Sequence, residues 1–188
     1  MVCAKLNAWV LIGFLCGMLP FSSWVARVAL HTDLRTVGDG NPGATNVWKA
    51  GGRTWAVLAV LLDGFKAAIP VGLAYSMDHV RGWELVIVAL APLLGHVFSP
   101  LLRFRGGKGL ASTFGVWLGL TLWLGPVVFG LSLFITRKLL RSDRAAVVAG
   151  LLVLAAILWI LERDFVLLTI CLLNAALLGW SYARKDAN

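Results

Sequence analysis

Residues 109–136 read GLASTFGVWLGLTLWLGPVVFGLSLFIT, an uncharged run framed by Lys108 and Arg137. Whether this run crosses a membrane once or twice decides the fold. Gly125-Pro126 is a turn signal inside it. The flanking charges fix the count, because Lys and Arg in short loops favour the cytoplasmic side of a membrane. Thirteen of the seventeen Lys and Arg fall into four clusters: Arg27 to Arg53, Arg103 to Lys108, Arg137 to Arg144, and Arg184-Lys185. Placing the second and third clusters on one side requires two crossings between Lys108 and Arg137, with a tight turn at Gly125-Pro126.

Working outward, the other apolar stretches are 6–30, 54–76, 85–102, 145–161 and 165–182. With 109–124 and 127–136 they predict an all-α integral membrane protein, a bundle of about seven transmembrane helices, some of them short. Glycine-rich loops connect the helices on the cytoplasmic face of the cell membrane, and the acidic connections 77–84 and 162–164 face outward. Composition agrees: 60% of the 188 residues are hydrophobic and 14% charged, against about 25% charged in soluble domains. The apolar stretches run from end to end, so one domain is expected over 1–188. The first stretch exceeds the roughly 7–15 apolar residues of a signal-peptide core and is expected to span as one helix.

The net charge of +8 sits at the ends of apolar segments, which fits topology and anionic lipid, not nucleic acid. Cys3, Cys16 and Cys171 are isolated from one another and from the three histidines. Neither a metal site nor a disulfide framework is expected.

Two polar, glycine-rich stretches interrupt this apolar chain. They are Gly38-Asp39-Gly40-Asn41-Pro42-Gly43-Ala44-Thr45-Asn46 and Arg103-Phe104-Arg105-Gly106-Gly107-Lys108-Gly109. Non-helical backbone at membrane depth is tolerated only where it is buried in protein or lines a wet cavity. Exposed N–H groups beside Lys and Arg suit an anion such as phosphate. Asn41-Pro42-Gly43 forces a turn, and Ala44-Thr45-Asn46 can open a helix behind it. Asp39 opposes a simple phosphate cradle, because like charges repel. Each stretch alone also suits a plain connector or a set of basic anchors.

Asp63 and Lys66 stand three residues apart on one helix face. Ionisable groups within a spanning segment are costly, so they mark either a site or a structural ion pair. His96, just before the second loop, is a candidate ligand contact, proton shuttle or helix-end hydrogen bond.

These residues resemble the motifs of the bacterial acyl-phosphate:glycerol-3-phosphate acyltransferases. The resemblance rests on Gly38 to Asn46, on Asp63-Gly64-Phe65-Lys66, and on Gly95-His96-Val97-Phe98 through Phe104-Arg105-Gly106-Gly107-Lys108-Gly109-Leu110-Ala111-Ser112. It implies a membrane enzyme that moves an acyl group from acyl phosphate to the 1-hydroxyl of glycerol 3-phosphate, giving lysophosphatidic acid and phosphate without a cofactor or metal. By that resemblance Lys108, Asn46, Thr45 and His96 are the catalytic candidates. Asp39, Gly40, Asn41, Gly43, Ala44, Lys49, Arg105, Gly106, Gly107, Ser112 and Ser142 would bind substrate, with Asp63 and Lys66 supporting the floor.

The chain departs from the family pattern in places. The family usually has Ser where Asp39 stands, Arg at Lys49 and Gly at Ala67, and its proline is shifted by one position at Ser99-Pro100. Its C-terminal run carries His and Asn, whereas this chain ends Ser181-Tyr182-Ala183-Arg184-Lys185-Asp186-Ala187-Asn188. A relative with another acceptor, or one without activity, is the alternative. A small phosphate-anion transporter ranks lower, because few polar residues lie within the helices.

Overall fold

The computed structural model describes the backbone of residues 2–186 and the side chains of 5–185; the Cys3 side chain and tail residues Ala187 and Asn188 lie outside the described residues. Within that range the chain is helical and has no strand. The helices are α1 (Val2–Met18), α2 (Phe21–Ala29), α3 (Ala44–Lys49), α4 (Arg53–Ser76), α5 (Gly82–Val97), α6 (Leu110–Thr121), α7 (Leu124–Leu139), α8 (Asp143–Glu162) and α9 (Phe165–Asp186). Five stretches are long and apolar enough to cross a bilayer: Lys5–Ala29, Arg53–Ser76, Gly82–Leu102, Asp143–Glu162 and Phe165–Lys185. The 12-residue α6 and 16-residue α7 fall below the roughly 20 residues of a full span.

Two expected boundaries are corrected. The turn in the opening stretch falls at Leu122-Trp123, not at Gly125-Pro126. Pro126 lies instead in the first turn of α7, where a missing N–H breaks no intrahelical bond. Gly125 donates its N–H to Thr121 Oγ1 at 2.8 Å, closing the turn. The first apolar stretch is likewise not one helix. It breaks at Leu19-Pro20, because proline cannot donate and disfavours α conformation in the residue before it.

That break has a use. Carbonyls at the end of α1 lose their helical donors, and other helices supply replacements. Ser99 Oγ donates to the Met18 carbonyl at 2.6 Å and Lys66 Nζ to that of Leu19 at 2.6 Å.

The helices pack as α4 on α6, α1 on α5, α7 on α8 and α8 on α9. Without a hydrophobic driving force between helices in lipid, close packing favours small residues. Gly115 on α6 shows the requirement, since a Cβ there would lie 2.0 Å from the Gly64 carbonyl of α4. The main core gathers Trp117, Phe129, Leu85, Leu93, Leu151, Leu154, Ile170 and Leu178. A smaller cluster of Ala26, Leu34, Val47, Ala56 and Ala59 anchors the first glycine-rich loop and α3 onto α2 and α4.

Candidate active site

The two loops, more than sixty residues apart in sequence, meet at Asp39 and Lys108. Lys108 Nζ lies 2.9 Å from Asp39 Oδ2. The other carboxylate oxygen accepts from Asn46 Nδ2 at 2.8 Å and from the Asn41 N–H at 3.3 Å. Asn41 closes the clasp in return: its Oδ1 accepts the Lys108 backbone N–H at 3.1 Å. Three donors from two loops thus converge on one carboxylate. Burial by itself raises the Asp39 pKa, but the Lys108 ammonium, the Asn46 amide and the Asn41 N–H outweigh it and hold the group at about 2.

Local backbone makes this seat. Gly38 and Gly40 both have positive φ, +59° and +65°, which glycine adopts without strain. They bend the chain so that Asp39 projects between them. A Cβ at Gly38 would also come within 2.5 Å of Asn46 Oδ1 and 3.0 Å of the Lys49 ammonium. Gly43 then caps α3, whose first intrahelical bonds run from Asn46 and Val47 N–H to the Gly43 carbonyl. The Ala44 and Thr45 N–H groups precede those bonds and have no acceptor within the helix.

The second loop is fastened to the end of α5. Gly106 and Gly107 N–H donate to the Val97 and His96 carbonyls, each at 3.2 Å. The approach excludes side chains: a Cβ at Gly106 would lie 1.9 Å from the His96 carbonyl oxygen, and one at Gly107 would lie 2.3 Å from His96 Nε2. Lys108 follows and turns back towards the first loop.

Below the loops lies a buried polar floor. Lys66 Nζ donates to Asp63 Oδ1 at 2.6 Å and contacts His96 Nδ1 at 2.9 Å. Asp63 Oδ2 accepts from Ser22 Oγ. Asp63, Lys66 and His96 are all buried, so each charge is paired, as burial demands.

α9 closes a third side. Lys108 Nζ sits over the Tyr182 ring, 4.6 Å from its centroid. Ser181 Oγ approaches the Gly107 carbonyl at 3.4 Å, and Arg184 donates to the Val97 carbonyl at 3.2 Å. Lys185 feels the charges of Asp39, Lys108 and Arg105.

The sequence-derived candidates therefore divide. Asp39, Asn41, Asn46 and Lys108 form one cluster, flanked by Gly40, Gly43, Ala44, Thr45, Lys49, Arg105, Gly106 and Gly107. His96, Asp63 and Lys66 form the floor. Two candidates have other partners. Ser112 is buried, with Oγ donating to the Asp63 carbonyl at 3.0 Å, so it ties α6 to α4. Ser142 is the N-cap of α8 and accepts from Ala145 N–H at 3.3 Å. Tyr182 and Lys185 also border the cluster; in the sequence Lys185 reads only as a basic terminal anchor, and Tyr182 carries no periodic or motif signal. Among the described residues no three His, Cys, Asp or Glu side chains gather where a metal could sit.

Comparison with known proteins gives the family of the chain. The family model described as glycerol-3-phosphate acyltransferase matches residues 7–186. Glycerol-3-phosphate acyltransferase 1 of Thermotoga maritima is 42% identical over 121 residues, covering 63% of this chain and 59% of its own length. The glycerol-3-phosphate acyltransferase of Endomicrobium trichonymphae is 37% identical over 144 residues, 75% of this chain and 72% of that one. Among solved structures, the integral membrane glycerol 3-phosphate acyltransferase PlsY in its glycerol 3-phosphate form superposes with a TM-score of 0.86 at 27% identity, covering 97% of this chain and 90% of that chain. Its lysophosphatidic acid form gives 0.84 at 24% identity with the same coverage, a likeness of fold. With a helical membrane bundle, two clasped loops and a family model spanning nearly its whole length, this chain belongs to the glycerol-3-phosphate acyltransferase family of integral membrane enzymes.

Proposed function

We propose that the protein transfers a fatty acyl group from acyl phosphate to the 1-hydroxyl of glycerol 3-phosphate, releasing lysophosphatidic acid and inorganic phosphate at the cytoplasmic face of the plasma membrane. The observation that carries this reading is the convergence of Lys108 Nζ, Asn46 Nδ2 and the Asn41 N–H on one anion seat. Such charge-assisted donors suit phosphate oxygens, and both substrates carry phosphate.

In the proposed reaction the glycerol 1-hydroxyl oxygen attacks the acyl carbonyl carbon. The bond from that carbon to the phosphate oxygen breaks, and the hydroxyl proton passes to a phosphate oxygen. Acyl phosphate is already activated, so positioning and stabilisation of developing charge supply the acceleration. Asn41, Gly43, Ala44, Thr45 and Asn46 cradle the acyl-phosphate phosphoryl group. Lys108, with Lys49 and Arg105, holds glycerol 3-phosphate or the departing phosphate, while His96, Asp63 and Lys66 hold the loops in place.

An apolar groove between α4 and α6 supports the acyl half of this reading. Its inner part, about 150 Å³, is lined by Val60, Gly64, Ala111 and Phe114. It continues past Phe65 and Leu118 into a wider part of about 610 Å³ beside Ile69 and Leu73. Gly64 and Ala111, which line it, neighbour Asp63 and Ser112 in sequence, so one end of the groove lies close along α4 and α6 to the polar floor. Purified protein given palmitoyl phosphate and glycerol 3-phosphate tests the whole reading. Equal amounts of phosphate and lysophosphatidic acid are expected; phosphate without lipid product overturns the acceptor, and neither product overturns the transfer.

A further inference from the structure

We infer that Asp39 is an internal competitor for the substrate phosphate: its carboxylate fills the anion seat of the empty enzyme and vacates it when a phosphate enters. The inference deepens the phosphate assignment proposed above and rests on it. Its starting point is the donor set. Lys108 Nζ, Asn46 Nδ2 and the Asn41 N–H form the anion cradle shared by the two loops, and all three are directed at Asp39.

A dianionic phosphate cannot share Lys108 with a carboxylate at 2.9 Å without strong like-charge repulsion, so one anion must yield. Asp39 has the means to leave. Its side chain is 39% exposed, which gives it a route to water. It stands between two glycines of positive φ, Gly38 and Gly40, where little backbone strain opposes movement. Once Asp39 withdraws, Lys108 remains supported by the Tyr182 ring at 4.6 Å. Lys185 lies within electrostatic reach of Asp39 and Lys108, so the vacated seat favours the more highly charged anion. Residue 39 thereby sets how tightly the enzyme holds phosphate, and a carboxylate there makes binding weaker and release easier.

The test is binding of inorganic phosphate to the purified, detergent-solubilised full chain by calorimetry, which needs no acyl transfer. A partly exposed ion pair supports tightening of about 2- to 5-fold in Asp39→Asn. Asp39→Ser, smaller and neutral, is run beside it, so the result does not depend on one variant folding. Adding Lys108→Gln to either variant should abolish the gain. Unchanged or weaker phosphate binding in the neutral variants overturns the inference, as does a gain that survives Lys108→Gln. Wild-type protein that makes no lysophosphatidic acid, with Asp39→Asn still gaining phosphate affinity, would sink the transfer reading and leave this one standing.

Discussion

Lys66 Nζ lies 2.9 Å from His96 Nδ1 and also donates to the Asp63 carboxylate and the Leu19 carbonyl. A lysine ammonium only donates, so Nδ1 accepts and the His96 proton resides on Nε2, the nitrogen facing Gly107. The buried ion pair thus sets the tautomer of a histidine on the neighbouring helix, and His96 presents a donor towards the second loop.

This relationship separates two His96 variants. Asn at position 96 can place an acceptor near Lys66 but offers no group at the Nε2 position, so His96→Asn should keep most of the stability and lose about tenfold or more in activity. His96→Ala removes both roles and leaves Lys66 short of an acceptor, at about 1–3 kcal/mol. Thermal unfolding and transfer rate on the two variants check this; equal stability losses would refute the tautomer assignment.

Lys66→Met should strand the buried Asp63 charge and destabilise the protein by about 3–5 kcal/mol. Asp63→Asn with Lys66→Met removes both charges and should lose less than the sum of the two single changes. A double-mutant cycle by thermal unfolding in detergent measures the coupling.

Lys108→Ala should lower acyl transfer by about 100-fold or more, the scale of removing one preorganised donor from a charge-stabilising site. The bundle should stay folded, because the partner left behind, Asp39, reaches water. Transfer at the wild-type rate would exclude Lys108 from the chemistry.

Two glycine substitutions should differ sharply. A Cβ at Gly106 meets the His96 carbonyl at 1.9 Å, whereas one at Gly51 meets nothing within 4 Å. Gly106→Ala should displace the second loop and abolish most activity. Gly51→Ala, with φ +94°, should cost about 1–2 kcal/mol of backbone strain and keep the site intact. Activity and melting temperature of both variants provide the comparison.

Asp39 gives a pH signature. Against burial, the Lys108 ammonium and the Asn46 and Asn41 donors hold its carboxyl at about 2, below the usual carboxylate range. A depressed carboxylate contributes stability above its unfolded pKa, and that contribution fades as pH falls from about 4 through about 2. Between pH 5 and 8 the clasp should be constant. Asp39→Asn should flatten the acid limb of melting temperature against pH below 4 and leave the curve's shape unchanged above 5.

Much of the bundle is legible in the sequence, because apolar length and basic clustering answer directly to lipid and membrane sidedness. The two glycine-rich loops stand out for the same reason, being polar backbone in an apolar chain. The exact breaks were less legible: Gly125-Pro126 resembles a turn, yet proline is equally at home in the first turn of a helix. Pro20 lay within an apolar stretch and gave little sign that it would end α1.

By itself, then, the sequence determined a helical membrane protein with paired helices between Lys108 and Arg137, and the motif residues that mark its family. Tertiary structure alone decided which polar groups face one another. It brought Asp39 onto Lys108, the Leu19 carbonyl onto Lys66, and Tyr182 beneath the Lys108 ammonium. Hydrogen bonds and ion pairs act over about 3 Å, and no spacing along the chain encodes a distance that short between residues tens of positions apart.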